Sequence, residues 1–108
     1  MQRQDYIERL IQQIAAAVAR ALGAARNGHP DDAQRELEAT WSGVLGLRRG
    51  DVDRVDEATL RALLGAKKEP AAALLEAEAE VRQSKGDDGG AARLRALAAR
   101  LRSSVLNP

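Results

Sequence analysis

Cysteine and phenylalanine are absent from this chain, and histidine, tyrosine and tryptophan occur once each, as His29, Tyr6 and Trp41. The lack of thiols excludes disulfides, thiolate nucleophiles, zinc ribbons and iron–sulfur clusters. A single imidazole cannot form a His pair, and two aromatic rings cannot make a stacking platform for nucleic-acid bases. Long apolar runs are also missing: no stretch approaches the roughly 18 apolar residues of a membrane span. The opening Met1-Gln2-Arg3-Gln4-Asp5 carries neither the cationic region nor the apolar run of a secretory signal. The expectation is a cytoplasmic protein without membrane association. Charge of one sign is missing too, since 17 basic and 16 acidic residues leave a net charge of +1. That removes the electrostatic pull on which non-specific binding to nucleic acid or anionic lipid rests.

What is present is helix. A length of 108 residues fits one domain, residues 1–108, with a modest core. Hydrophobic residues make up 44% of it, but many are alanine, so the core is expected to be thin and the backbones close together. Ile7, Leu10, Ile11, Ile14, Val18, Ala21, Leu22 and Ala25 recur at three- and four-residue steps, which predicts a first helix ended by Asn27-Gly28. Pro30, Asp31 and Asp32 suit the start of a second helix with a stripe of Ala33, Leu37, Trp41, Val44 and Leu45. Gly46 to Val55 reads as a connection with candidate stops at Gly46 and Gly50. Asp56 then caps a short third helix carrying Leu60, Leu63 and Leu64, closed by Gly65. Pro70 opens a fourth helix with Leu74, Leu75 and Val81, ended by Gly86. A last helix runs from about Gly89 to Ser104 with Leu94, Leu97, Leu101 and Val105.

No segment alternates with period two, so no strand is expected. The fold class that follows is all-α: about five helices in two antiparallel hairpins plus a short middle helix, a tetratricopeptide-like arrangement or an irregular bundle. A faint internal echo joins the hairpins. Ala25-Arg26-Asn27-Gly28 is followed by Ala33 five residues on, and Arg82 to Gly86 by Ala91 five residues on. The 34-residue tetratricopeptide signature is absent.

Taken together, Asp5-Tyr6-Ile7 leading into Arg9-Leu10-Ile11, Gly28 with Ala33, Leu45-Gly46-Leu47, Asp56 with Leu60 to Leu64, Leu74-Leu75 and Gly86-Asp87 resemble an uncharacterised bacterial family of short helical proteins, a domain of unknown function. The likeness spans nearly the whole chain and implies a tetratricopeptide-like helical fold. It implies no known activity, so no catalytic residue is carried over. The chain departs from the family in its richness in Ala and Arg and in Gly89-Gly90, where stronger helix formers are expected.

Several constellations invite a chemical reading. His29 beside Asp31 and Asp32 suggests a metal ligand or base, but one imidazole supplies one ligand and the aspartates suit a helix start. Asp51, Asp53, Asp56 and Glu57 resemble a calcium loop, yet the order of oxygens is wrong and Arg54 sits among them. Arg49-Gly50-Asp51 spells an adhesion tripeptide, a match too short to carry meaning. Neither a metal nor any other cofactor is expected, and neither is catalysis.

Binding surfaces remain. At 100° per residue, Arg93 and Arg100 fall on one side of the Leu94/Leu97/Leu101 stripe and Arg95 and Arg102 on the other, so they flank the stripe without converging. Arginine stems covering a packed seam explain this, while an alternative is a nucleic-acid-associated protein using these residues with Lys67 and Lys68. Ala92, Ala96, Ala99 and Ser103 gather on the opposite side of the last helix, either as a solvated face or as a surface for another helix. Ala16, Ala19 and Gly23 offer the first helix a similar back. Glu78 and Arg82 fall within the apolar sector of the fourth helix, as an ion pair at its exit from the core or as a polar spot lining a groove. Trp41 is a core anchor or, if exposed, a hot spot. The function expected from the residues is a non-catalytic protein–protein interaction or self-association module, with a protein partner or a second copy in a homodimer, and Ala92, Ala96, Ala99, Ser103, Glu78 and Arg82 as the candidate surface.

Overall fold

The computed structural model describes residues 3–103, and every element in it is helical, with no strand among the described residues. Helix α1 spans Arg3–Arg26 and α2 spans Pro30–Thr40, continued by a π-helical turn at Trp41–Leu45. A single turn, α3 (Arg49–Val52), precedes α4 (Glu57–Leu64), and a 3₁₀ turn at Gly65–Lys67 leads into α5 (Lys68–Ser84). Helix α6 spans Asp88–Arg102. Five helices of eight residues or more thus form two hairpins, α1/α2 and α5/α6, with α4 between them. The predicted stop at Gly50 falls inside α3, and the fourth helix starts two residues before Pro70. Ser104 and Val105, assigned to the last helix from the sequence, lie outside the described residues.

The echo between the hairpins is one turn made twice. At the end of α1, the His29 N–H donates to the Ala24 carbonyl at 2.9 Å and the Gly28 N–H to the Ala25 carbonyl at 3.1 Å. At the end of α5, the Asp87 N–H donates to the Arg82 carbonyl at 2.9 Å and the Gly86 N–H to the Gln83 carbonyl at 3.0 Å. This paired closure needs a left-handed residue, and Gly28 and Gly86 supply it at φ of +84° and +86°. Five residues past each glycine, Ala33 and Ala91 are buried where the returning helix first meets its partner. Lys85 Nζ reaches Asp31 Oδ1 at 3.0 Å, so both turns lie at the same end of the molecule.

Helix α5 is the centre. It packs against α6 most heavily and also against α1, α2 and α4. Pro70, Ala71, Ala72, Leu74, Leu75, Ala77, Glu78, Ala79 and Val81 are all buried, which encloses most of its circumference. Four of these nine are alanine, and a methyl side chain lets neighbouring backbones come close. One strip stays open, formed by Glu69, Glu76, Glu80 and Gln83 at helical spacing.

The opposite end of the molecule is closed by the segment between the hairpins. Trp41, Leu45, Val52, Leu60 and Leu64 join Ile14, Leu37, Leu74, Leu75 and Leu101 in one hydrophobic cluster. Two leucine and isoleucine positions on the predicted stripes face outward instead: Ile11 is 42% exposed and Leu63 is 55% exposed. Ile11 is turned toward the flank of α1, and Leu63 stands on the outer side of a helix only two turns long.

Trp41 is fully buried, with its indole Nε1 unpartnered among the described residues. The ring therefore acts through shape and area. Its emission should be blue-shifted and resistant to iodide quenching, and Trp41→Ala should cost about 3–5 kcal/mol in chemical denaturation.

Candidate functional site

Burying a charge is costly unless it is paired and hydrogen-bonded. Two ionisable side chains are nonetheless buried here: Glu78 at 0% exposure and Arg49 at 7%. They meet in a bidentate pair, Arg49 Nε donating to Glu78 Oε1 at 2.8 Å and Nη2 to Oε2 at 3.1 Å. Arg49 Nη1 also donates to Asp53 Oδ1 at 2.8 Å. Arg82, one turn after Glu78, donates to Glu78 Oε2 through Nε and Nη2 and to Asp87 Oδ2 through Nη1. One carboxylate is thus clamped by two guanidinium groups, each steadied by a second acid.

Local structure explains the convergence. The α3 turn brings Arg49 and Asp53 onto one face at i,i+4 spacing, and α5 does the same for Glu78 and Arg82. Burial pulls the pKa of Arg49 down, but hydrogen bonds and charge from Glu78, then Asp53, more than reverse it and hold the guanidinium above its ordinary value. Arg82 is raised by the same opposition of burial against Glu78 and Asp87.

Above this network lies a cleft of about 420 Å³ lined by Arg49, Asp53, Arg82, Gly90, Arg93, Leu94, Leu97 and Arg100. On the other side of α5, a groove of about 370 Å³ runs between α1 and α6, lined by Val18, Leu22, Ala73, Glu76, Ala77, Glu80 and Arg95. It continues past Leu22 and Glu80 to Ala25, Arg26, Gln83 and Ser84. Val18 shares its wall with Ala73 and Ala77, and Ala25 with Gln83 and Ser84, so α1 and α5 run in the same direction.

The candidate residues separate in space. Ala92, Ala96 and Ala99 form an exposed outer face of α6, and Ser103, half-buried, donates its hydroxyl to the Ala99 carbonyl at 2.9 Å. Glu78 and Arg82 do not extend that face. The i,i+4 ion pair expected of them is present, Arg82 Nη2 to Glu78 Oε2 at 3.1 Å, but Glu78 is completely buried and lines no groove, because Arg49 reaches in from the connecting segment. The four arginines of α6 flank its leucines as the 100° spacing requires. Arg102 pairs with Glu69 at 2.9 Å and with Glu76, Arg95 bonds Gln83 at 2.8 Å, and Arg100 pairs with Glu57 at 2.6 Å. Lys68 Nζ donates to the Gly65 carbonyl at 2.8 Å.

The acidic loop is divided among structural tasks: Asp53 holds Arg49, Asp56 caps α4, and Glu57 takes Arg61 and Arg100. No group of three or more His, Asp or Glu able to hold a metal ion occurs among the described residues. His29 is exposed at the start of α2 and makes no side-chain capping bond. The adhesion tripeptide is not displayed, since its Arg49 is committed to Glu78. No helix among the described residues is long and apolar enough to cross a membrane. Compared with protein-family models, with curated proteins and with solved structures, the chain matches none of them.

Arg49 is the residue that sequence reasoning missed. Its signal was faint: an arginine spaced i,i+4 from Asp53 inside a connection, with its main partner 29 residues away.

Removing one member of the network should be worse than removing the pair. Glu78→Ala should cost about 3–5 kcal/mol, and the double variant Arg49→Met with Glu78→Leu much less, because it strands no buried charge. A double-mutant cycle by urea denaturation measures this. A second expectation concerns acid. The Thr59 hydroxyl and then its backbone N–H hold Asp56 below its ordinary pKa of 3.8, and the Gly90 N–H and then Arg82 do the same for Asp87. Their stabilisation is complete above 3.8 and is lost as pH falls through the lowered folded values. Thermal midpoints should therefore drop over that range, and Asp56→Asn and Asp87→Asn should each flatten the drop.

Proposed function

We propose that this chain is a non-catalytic interaction module of tetratricopeptide-like hairpins that holds a segment of a protein partner in the groove between α1 and α6. The observation that carries the reading is the shape of the α5 strip. Ala73 and Ala77 leave room between Val18 and Leu22 on one wall and Arg95 on the other. An apolar floor with charged edges suits an amphipathic segment, whose apolar residues fill the floor while polar ones meet the rim. Glu80 makes no hydrogen bond or ion pair among the described residues, which leaves its carboxylate to a basic group of the partner.

Self-association belongs to the same class. The exposed Ala92, Ala96 and Ala99 face of α6 lets a second backbone approach closely, as a homodimer would require. A cytoplasmic setting goes with the absence of cysteine.

Ala73 is half-buried at the edge of the core, and Ala73→Gln extends its side chain into the groove. Affinity capture from the native cell should recover a discrete partner with the unaltered chain and lose it with Ala73→Gln, while helicity is kept and the thermal midpoint falls by only a few degrees. A partner retained equally by both proteins would overturn the groove as the binding surface. Sedimentation velocity over a dilution series separates self-association from capture of another protein.

A further inference from the structure

The arginine-lined cleft on the far side of α5 is separate from the groove, and hydrogen-bond accounting gives it a chemistry. A guanidinium carries five N–H donors. Arg49 commits one at Nε, one at Nη1 and one at Nη2, and Arg82 commits the same three positions. Each therefore keeps two donors, and both side chains line the cleft. Arg93 lines it as well and makes no hydrogen bond or salt bridge among the described residues, acting on Asp87 through charge alone. Arg100 spends only its Nε, on Glu57.

The balance of the lining is positive. Four guanidinium groups line the cleft with one carboxylate, Asp53, whose side chain is 65% exposed. Asp87 on Arg82 and Glu57 on Arg100 stand at its edge and offset part of that charge, leaving Arg93 without a paired acid among the described residues. Glu78 lies beneath with no surface and both oxygens occupied, so it orients the guanidinium groups without occupying the cleft. Arg49 is held at 6% side-chain exposure, and a donor already fixed in place loses little freedom when a ligand arrives. The volume of about 420 Å³ lies within the roughly 300–1,000 Å³ of small-molecule sites.

We propose that this cleft binds a phosphate dianion, with Arg93 as its principal contact and the unspent donors of Arg49 and Arg82 completing the cradle. A phosphate offers three oxygens and about −1.5 to −2 of charge, which matches several guanidinium groups better than the two oxygens and single charge of a carboxylate. Leu94 and Leu97, with Gly90 between them and the network, form an apolar wall. That wall accommodates the organic group of a phosphate ester, so the ligand is free phosphate or a small phosphomonoester.

Amide and arginine Nε NMR spectra, titrated at constant ionic strength near pH 7.5 where phosphate is chiefly dianionic, test the site. Inorganic phosphate should give saturable shifts at Gly89 to Leu94 and at the Arg49 and Arg82 Nε signals. Arg93→Gln, on an exposed position, should keep the fold and weaken binding roughly tenfold or more. Tighter binding of phenyl phosphate marks an ester as the ligand, and equal binding marks free phosphate. Absence of saturation, an unchanged affinity in Arg93→Gln, or benzoate binding as tightly as phenyl phosphate would overturn the proposal. Ala73→Gln should leave the titration unchanged, so failure here and failure of the groove reading are told apart.

Discussion

Close approach of helices around α5 is the constraint on which the molecule depends. A 17-residue helix enclosed on most sides must bury nearly everything it carries, and its neighbours come close only if those side chains are small. Ala71, Ala72, Ala77 and Ala79 meet that requirement, while Leu74, Leu75 and Val81 supply the apolar area. Alanine buries little surface, and at roughly 25 cal/mol per Å² it contributes less than leucine would. Trp41 and the leucines of the connecting segment offset this at the end away from the hairpin turns. Small residues have a second effect beside the open strip, where Ala73 and Ala77 leave a groove in place of a ridge.

The buried ion network follows from the same geometry. Helix α5 passes through the centre, so a charged residue on its inner side has no route to water. Glu78 is tolerable there only because Arg49 and Arg82 satisfy both of its oxygens. The network also ties together three parts of the chain: α3, the middle of α5 and the turn before α6, through Asp53, Glu78 and Asp87. Buried pairs add little net stability over an apolar equivalent. Their contribution here is positional, since a one-turn helix such as α3 has too few backbone bonds to hold its own place.

Much of the architecture was legible because it is local. The 3.6-residue stripes located the long helices, Gly28 and Gly86 marked the turns, and Asp56 marked the start of α4. The echo of Ala33 after Gly28 and Ala91 after Gly86 identified a repeated turn. Less legible were the features that depend on who the neighbour is. Ile11 and Leu63 fit their stripes yet face outward, and the connection from Gly46 to Val55 hides a helical turn with a buried arginine. Helical spacing puts Ala92, Ala96 and Ala99 away from the leucines and pairs Glu78 with Arg82, but the complete burial of Glu78 depends on Arg49.

The order of amino acids alone determined that the chain is helical, where its hairpins turn, and that thiol chemistry is excluded, because periodicity, glycine conformation and composition act within a few residues or on the chain as a whole. Tertiary structure decided that Glu78 is buried, that Arg49 is its partner, and that a groove and a cleft lie on opposite sides of α5. Those outcomes rest on contacts between residues tens of positions apart. Their free energy depends on burial and on the partner's location, which no local pattern encodes.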